Sequence, residues 1–223
     1  MTLHGRHVIT SDVEEVTAEN ILKVLRDSLE WHNQNRNEIA YLWNYYCGIQ
    51  PILNREKEVR PEICNKIVEN RAFEIVDFKT GFLFGEPIQY VTKKGQNADN
   101  EAIQKLNDYV SADEKEAGDC ELADWFHICG TAFRYVMPHQ PDEENQAPFE
   151  TMTLSPMNAF VVYGNSSKKP ILGVSYVTDT QGNTRYSCYT EHQYFEIFNT
   201  SLVVAENHVL GGIPIVEYPL NMA

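Results

Sequence analysis

Seven histidines and five cysteines are the residues of this 223-residue chain with the most specific chemistry to offer, and their spacing offers little. Cys47, Cys64, Cys120, Cys129 and Cys188 are odd in number and include no CxxC pair, so neither a disulfide framework nor a zinc ribbon is expected. Free thiols of this kind are usually buried. No histidine sits in an HExxH or other ligand spacing. His127 and Cys129 stand two apart, which on a helix points them away from a shared metal or a Cys–His catalytic pair. Asp142 after Pro141, followed by Glu150, has the opening of a metal-dependent nuclease motif. That chemistry needs a lysine two residues beyond the second acid, and position 152 is Met. The stretch 143–146 between two prolines reads instead as a loop joining strands. There is no Gly-rich phosphate loop, GxGxxG or GxSxG, and Gly211-Gly212 before Ile213-Pro214 reads as a tight turn into a strand. Asn165 and Asn199 open glycosylation sequons by chance, since nothing points to secretion. No catalytic, metal or cofactor-binding residue is assigned.

Charge narrows the function further. With 18 Lys and Arg against 32 Asp and Glu, the formal net charge is −14. This argues against a free-standing nucleic-acid binder, whose affinity comes mainly from cations neutralising phosphates. The imbalance is uneven: residues 1–111 carry −4 and residues 112–223 carry −10. Asp113, Glu114, Glu116, Asp119, Glu121 and Asp124 face only Lys115, which predicts a solvated helix face. The first residues lack the apolar core of a signal peptide, and no apolar run approaches the roughly 18 residues of a spanning helix, so a reduced, soluble setting is expected.

The elements that would position these residues follow from periodicity. Ser11 and Glu14 have capping-box spacing. Ile21, Leu22, Leu25 and Leu29, then Ile39, Leu42, Trp43 and Tyr46, recur at helical steps, and Gly48 supplies a stop. Pro61 fits the first turn of a long helix carrying Ile63, Ile67, Ile75, Phe78 and Phe82, which Gly85 to Pro87 ends. Residues 88–92 alternate as a short strand does. Asp99 or Asn100 can cap a helix reaching Tyr109, and Asp113 with Glu116 opens another that Gly130 closes. From Ala132 the period becomes two, predicting strands over 132–137, 149–154, 159–163, 171–178, 185–190, 194–199 and 202–205, with a hairpin turn at 181–183. The fold class is therefore α+β: N-terminal helices over 1–131, with a short strand at 88–92, followed by a mainly antiparallel β region over 132–223.

One ordered set of residues carries a family signal. It comprises Tyr45-Tyr46-Cys47-Gly48, Ile52 and Arg55, the Asn65–Asn70 helix segment, Ile75-Val76-Asp77, and Phe82 through Gly85, Pro87 and Tyr90. This resembles the N-terminal, wing-containing part of portal proteins of tailed bacteriophages, the siphovirus type of head-to-tail connector. Gly130 followed by Ala132–Val136, then Pro156 before Ala159–Tyr163, and Pro214 within 212–218 are similar to later family segments. Cys47 occupies a variable slot, and Leu220-Asn221 stands where an Asn pair often occurs. In that family Tyr45, Tyr46, Gly48, Asn65, Asn70, Asp77, Gly85, Pro87, Tyr90, Gly130, Pro156 and Pro214 are scaffold.

The resemblance implies a non-enzymatic ring subunit, commonly one of a dozen, set at the capsid vertex of a virion and assembled in the host bacterial cytoplasm. Its implied partners are the large terminase, which carries the ATPase, the major capsid and scaffold proteins, and a head–tail adaptor. It would act as conduit for packaging and ejection, passing double-stranded DNA without tight sequence-specific binding, and would touch no membrane. Residues up to 223 would correspond to the wing part of a longer portal subunit. Two alternatives stay open on residues alone. One is a small metal-dependent hydrolase or nuclease-like domain built on Asp142, Glu150 and dispersed His. The other is a non-portal capsid adaptor or prophage remnant.

Overall fold

The computed structural model describes residues 6–92, 100–143 and 145–220. In chain order these form β1 (Thr10–Ser11), α1 (Ile21–Tyr46), a 3-10 turn (Pro51–Asn54), α2 (Arg71–Phe84), α3 (Asn100–Ala112) and α4 (Lys115–Cys129). Eight strands follow: β2 (Thr131–Pro138), β3 (Phe149–Leu154), β4 (Ala159–Gly164), β5 (Pro170–Thr178), β6 (Thr184–Tyr189), β7 (Gln193–Phe198), β8 (Ser201–Asn207) and β9 (Ile215–Pro219). Helices come first and an antiparallel β region after, the α+β plan that the change of period at Ala132 predicts.

Two sheets organise the layers. The larger runs β1-β4-β5-β6-β7-β8, antiparallel except where β1 lies parallel to β4. The smaller runs β3-β2-β9, antiparallel throughout. One core lies between α1 and the large sheet, joining Ile21, Val24 and Leu25 to Phe160, Leu172, Val174, Phe195 and Ile197. A second lies between the sheets, where Phe133 and Ile215 meet Ala159, Val161 and Tyr189. A third gathers Ile39, Val76, Ile128 and Cys129 where α1, α2 and α4 meet, with Trp43 stacked on Trp125 at 4.5 Å. At 26 residues α1 spans about 39 Å, long enough to serve both the first core and the third.

Gly173 lets the two sheets close. A Cβ there would lie 2.6 Å from Ile213 Cγ2 and 3.1 Å from Ile215 Cβ, so the bare backbone of β5 is what the chain entering β9 rests on.

Several boundaries differ from the sequence expectation, each for a local reason. Ser11 and Glu14 form no capping box, because Ser11 pairs in β1 and Glu14 accepts the Ser166 N–H at 2.8 Å. No helix starts at Pro61. Asn70 caps α2 instead, accepting the Phe73 N–H at 3.3 Å and donating to the Tyr46 carbonyl at 2.7 Å. Residues 88–92 form no strand, since both backbone groups of Tyr90 are taken by the side-chain amide of Asn107, at 2.9 and 3.0 Å. Asp99 lies outside the described residues, and Asn100 is already helical. Asp113 does not cap α4, which begins at Lys115 after a left-handed Glu114; its carboxylate accepts the Thr151 N–H at 3.1 Å.

The buried stripe of α1 turns polar halfway, through Ser28, His32 and Asn35. Asn35 holds the N-terminal arm by accepting the His7 N–H at 2.9 Å and donating to its carbonyl at 2.8 Å. His32 stacks on Phe160, with Nε2 3.1 Å from the Tyr176 hydroxyl and 3.2 Å from the Met157 carbonyl. Burial is the main cause that pushes its pKa down to about 4 from 6.5; the Met157 contact opposes this and the Arg36 charge adds to it. The imidazole is therefore neutral in the folded protein, and protonation favours the unfolded chain.

Two predictions follow from these contacts. Stability should fall as pH drops below about 6.5 and level off near 4, the unfolded state binding the extra proton across that window, with a total loss of about 3 kcal/mol. Urea unfolding at pH 7 and pH 4.5 should show the fall, and His32→Gln should flatten it; an unchanged slope in that variant would refute the assignment. Gly173→Val should lower stability by about 1–3 kcal/mol through overpacking of Ile213 and Ile215, read as a shifted urea midpoint.

Candidate functional site

Reactive side chains are dispersed. Among the described residues no group of three or more His, Cys, Asp or Glu could hold a metal ion. Asp142 accepts the Asn145 N–H at 2.8 Å and so shapes its own loop, while Glu150 stands exposed on β3. His127 Nδ1 lies 3.3 Å from the Thr80 hydroxyl. Burial pushes the Cys129 thiol up to about 12, against the opposing charge of Arg6, which makes it a poor nucleophile.

The motif residues occupy joints and surfaces. Tyr46, Gly48 and Asn70 come together where α1 hands over to α2: Gly48 turns with φ +82°, and a Cβ there would lie 3.6 Å from Asn70 Nδ2. Tyr45 packs its ring near Tyr41. Asn65 and Asp77 are exposed, Gly85 caps α2, and Pro87 leads into the segment that Asn107 holds through Tyr90. Gly130 ends α4 in the left-handed conformation, Pro156 is fully buried, and the Pro214 carbonyl accepts the Val136 N–H at 2.9 Å.

Two polar clusters escape any sequence pattern because their members are far apart in the chain. In the first, the Arg6 guanidinium donates to the Gly130 carbonyl at 2.9 Å and pairs with Glu217 at 3.3 Å. Tyr163 donates to Glu217 at 3.2 Å, and the Leu220 N–H reaches the same Gly130 carbonyl at 2.9 Å. Burial raises the Glu217 pKa and outweighs the Arg6 charge, and burial likewise lowers the pKa of Arg6. A cavity of about 780 Å³ opens beside this cluster, with Val8, Ile39, Leu42 and Leu220 on its walls.

In the second cluster, Asp119 of α4 lies 2.7 Å from Arg134 of β2 and 2.6 Å from Lys115, with side chains of Asp119 and Arg134 only 9% and 5% exposed. The expected solvated acidic face holds at Glu114, Glu116 and Glu121, which are exposed, and is corrected at the other three acids. Asp119 is an internal ion-pair partner, Asp113 is bonded to β3, and Asp124 accepts from the Thr80 hydroxyl at 2.8 Å. Arg134 Nη2 approaches Asp119 without a well-aligned hydrogen bond, and its Nε has none, so the pair rests on charge more than on directed bonding. Periodicity could place Arg134 on β2 but not opposite Asp119.

An apolar groove of about 630 Å³ lies over this pair, between α3, α4 and the small sheet. Beside it, α2 presents Ile75, Phe78 and Phe82 to the outside at 55%, 71% and 78% exposure, with the two phenylalanine rings stacked. These three side chains form an exposed apolar ridge, the kind of surface associated with contact to another macromolecule.

Comparison with known families gives one finding. The family model described as phage portal protein, SPP1 Gp6-like, matches residues 26–222. A search of curated proteins returned no match.

The Asp119 pair yields a test of its structural weight. Asp119→Ala should cost about 3–5 kcal/mol by stranding the Arg134 charge in a buried site, whereas the double variant with Arg134→Met should recover most of that loss. Equal losses in the single and double variants, by chemical denaturation, would contradict this account.

Proposed function

The chain belongs to the SPP1 Gp6-like phage portal protein family, and from that premise we propose that it is a ring subunit of the capsid vertex through which DNA is packaged and ejected. The family is a structural, non-enzymatic one. The observation that carries the proposal is the family match across 197 residues, which includes every motif residue from Tyr45 to Pro214.

In this reading the helical region over 1–131 and the β region over 132–223 together form the wing part of a longer portal subunit. The copies close into a ring, commonly of twelve. The ring docks the terminase large subunit and the head–tail adaptor, and sits among the major capsid and scaffold proteins. Its place is the virion vertex, reached by assembly in the host cytoplasm.

Electrostatics support a conduit that does not grip its cargo. Each phosphate neutralised by Lys or Arg steepens salt dependence and tightens binding, and a net charge of −14 works against such contacts. Internal pairing of Lys115, Arg134 and Arg6 withdraws three cations from any such role.

Negative-stain electron microscopy of the complete gene product should show rings with a central hole; a strictly monomeric product would defeat the proposal. The 223-residue chain should not shift duplex DNA in a gel at micromolar concentration and low salt. Tight binding that weakens steeply with salt would contradict the conduit reading.

A further inference from the structure

Helix α2 carries an exposed apolar ridge alongside its charged positions Arg71, Glu74, Asp77 and Lys79. Val76 is buried in the third core, and Thr80 bonds to Asp124 of α4, which fixes the inward face. Ile75, Phe78 and Phe82 then fall at i, i+3 and i+7 on the opposite face, all exposed. The described residues of this chain cover the Val76 face and leave the ridge open, as a contact surface for another macromolecule is.

The same molecule carries a matching receptacle. The 630 Å³ groove is walled by Ile88, Leu106, Val110, Leu122, Phe126 and Phe149. The charged groups that line it, Lys115, Asp119 and Arg134, are paired with one another by charge. Ridge and groove are contiguous on the chain yet cannot fill each other, because Leu83 and Phe84 of α2 already form part of the groove wall.

Charge selects the occupant. The chain as a whole carries −14, so two copies repel through most of their surface. Within α2 the charges balance, with Arg71 and Lys79 against Glu74 and Asp77. The ridge helix is therefore net neutral, and one acidic copy can approach another there with less repulsion than over the rest of its surface. We propose that the outer face of α2 seats in the groove of a second copy of this chain. Such a contact joins two different surfaces, and a contact of that type repeats from copy to copy and closes into a ring when the rotation permits. The inference rests on the ring reading above and names the surfaces that make the ring.

The test uses the complete gene product with Phe78 replaced by the photo-crosslinker p-benzoylphenylalanine. Irradiation should give a product of twice the subunit mass, and mass spectrometry should place the attachment in α3 or α4 of the other copy. Attachment within one chain, to α2 of the second copy, or to a different protein would overturn the proposal, as would the absence of any adduct. In parallel, Phe78→Asp with Phe82→Asp should reduce the ring fraction roughly tenfold or more by sedimentation, while leaving thermal unfolding of the chain unchanged because both rings are exposed. If wild type forms rings and the double variant keeps them, the docking surface is wrong and the portal reading stands. If wild type forms none, the portal reading falls, and the crosslink alone still decides whether copies meet through α2.

Discussion

The backbone carbonyl of Gly130 receives two donors, the Arg6 guanidinium and the Leu220 N–H, each at 2.9 Å. It sits at the C-terminal end of α4, where a helix leaves acceptors unsatisfied and its dipole favours a cation. Gly130 adopts φ +68°, and that left-handed turn sends the chain directly into β2. The direction of β2 in turn sets the small sheet, because β3 and β9 both pair with it. Arg6 continues to Glu217, which also takes the Tyr163 hydroxyl, so the large sheet is tied to the same point. Residues separated by more than 200 positions are thereby held within a few ångströms of one helix end.

Buried polar groups recur wherever elements remote in sequence meet. Asn35 fastens the N-terminal arm to α1, His32 reaches the turn before β4, and Asp119 joins α4 to β2. Such groups add little net stability, since desolvation offsets most of their attraction. They do constrain arrangement: an amide or carboxylate with one satisfactory partner penalises every alternative in which it is stranded. The apolar cores supply the bulk of the favourable energy, and these contacts choose among the ways the cores could be assembled.

Much of the β region was legible from sequence because an outer strand has one face on a core and one toward solvent, as Phe195 and Ile197 of β7 illustrate. By contrast β4, between two cores, is buried on both faces. The helical faces were legible where apolar spacing is regular, as in the first turns of α1. Legibility failed where side chains substitute for backbone partners. Asn70 displaced the start of α2 to Arg71, Asn107 replaced a strand partner for Tyr90, and Asp113 went to Thr151 rather than to a helix cap. The buried charges were invisible for a different reason. Asp119 lies in a stretch that reads as a solvated helix face and Glu217 in a strand entered from a turn, and only the fold brings Arg134 and Arg6 to them. The motif residues were recognisable by order and spacing, yet nothing in their types distinguished Asn70, which bonds across a joint, from Asn65, which is exposed.

The antiparallel pairing of β9 with β2 has a mechanical consequence. Pro219 lies opposite Thr131, so the end of β9 from which the chain continues is the end nearest α4. A load delivered through the residues after Leu220 and resisted by α4 would open this ladder as a peel, one rung at a time, the weakest way to strain a sheet. The first rungs to part are Leu220 to Gly130 and then Pro219 against Thr131, and there Arg6 and Glu217 stand across the seam. The clamp therefore works as a rivet at the tip of a potential crack, stiffening the joint at the one place where its geometry is least able to bear tension.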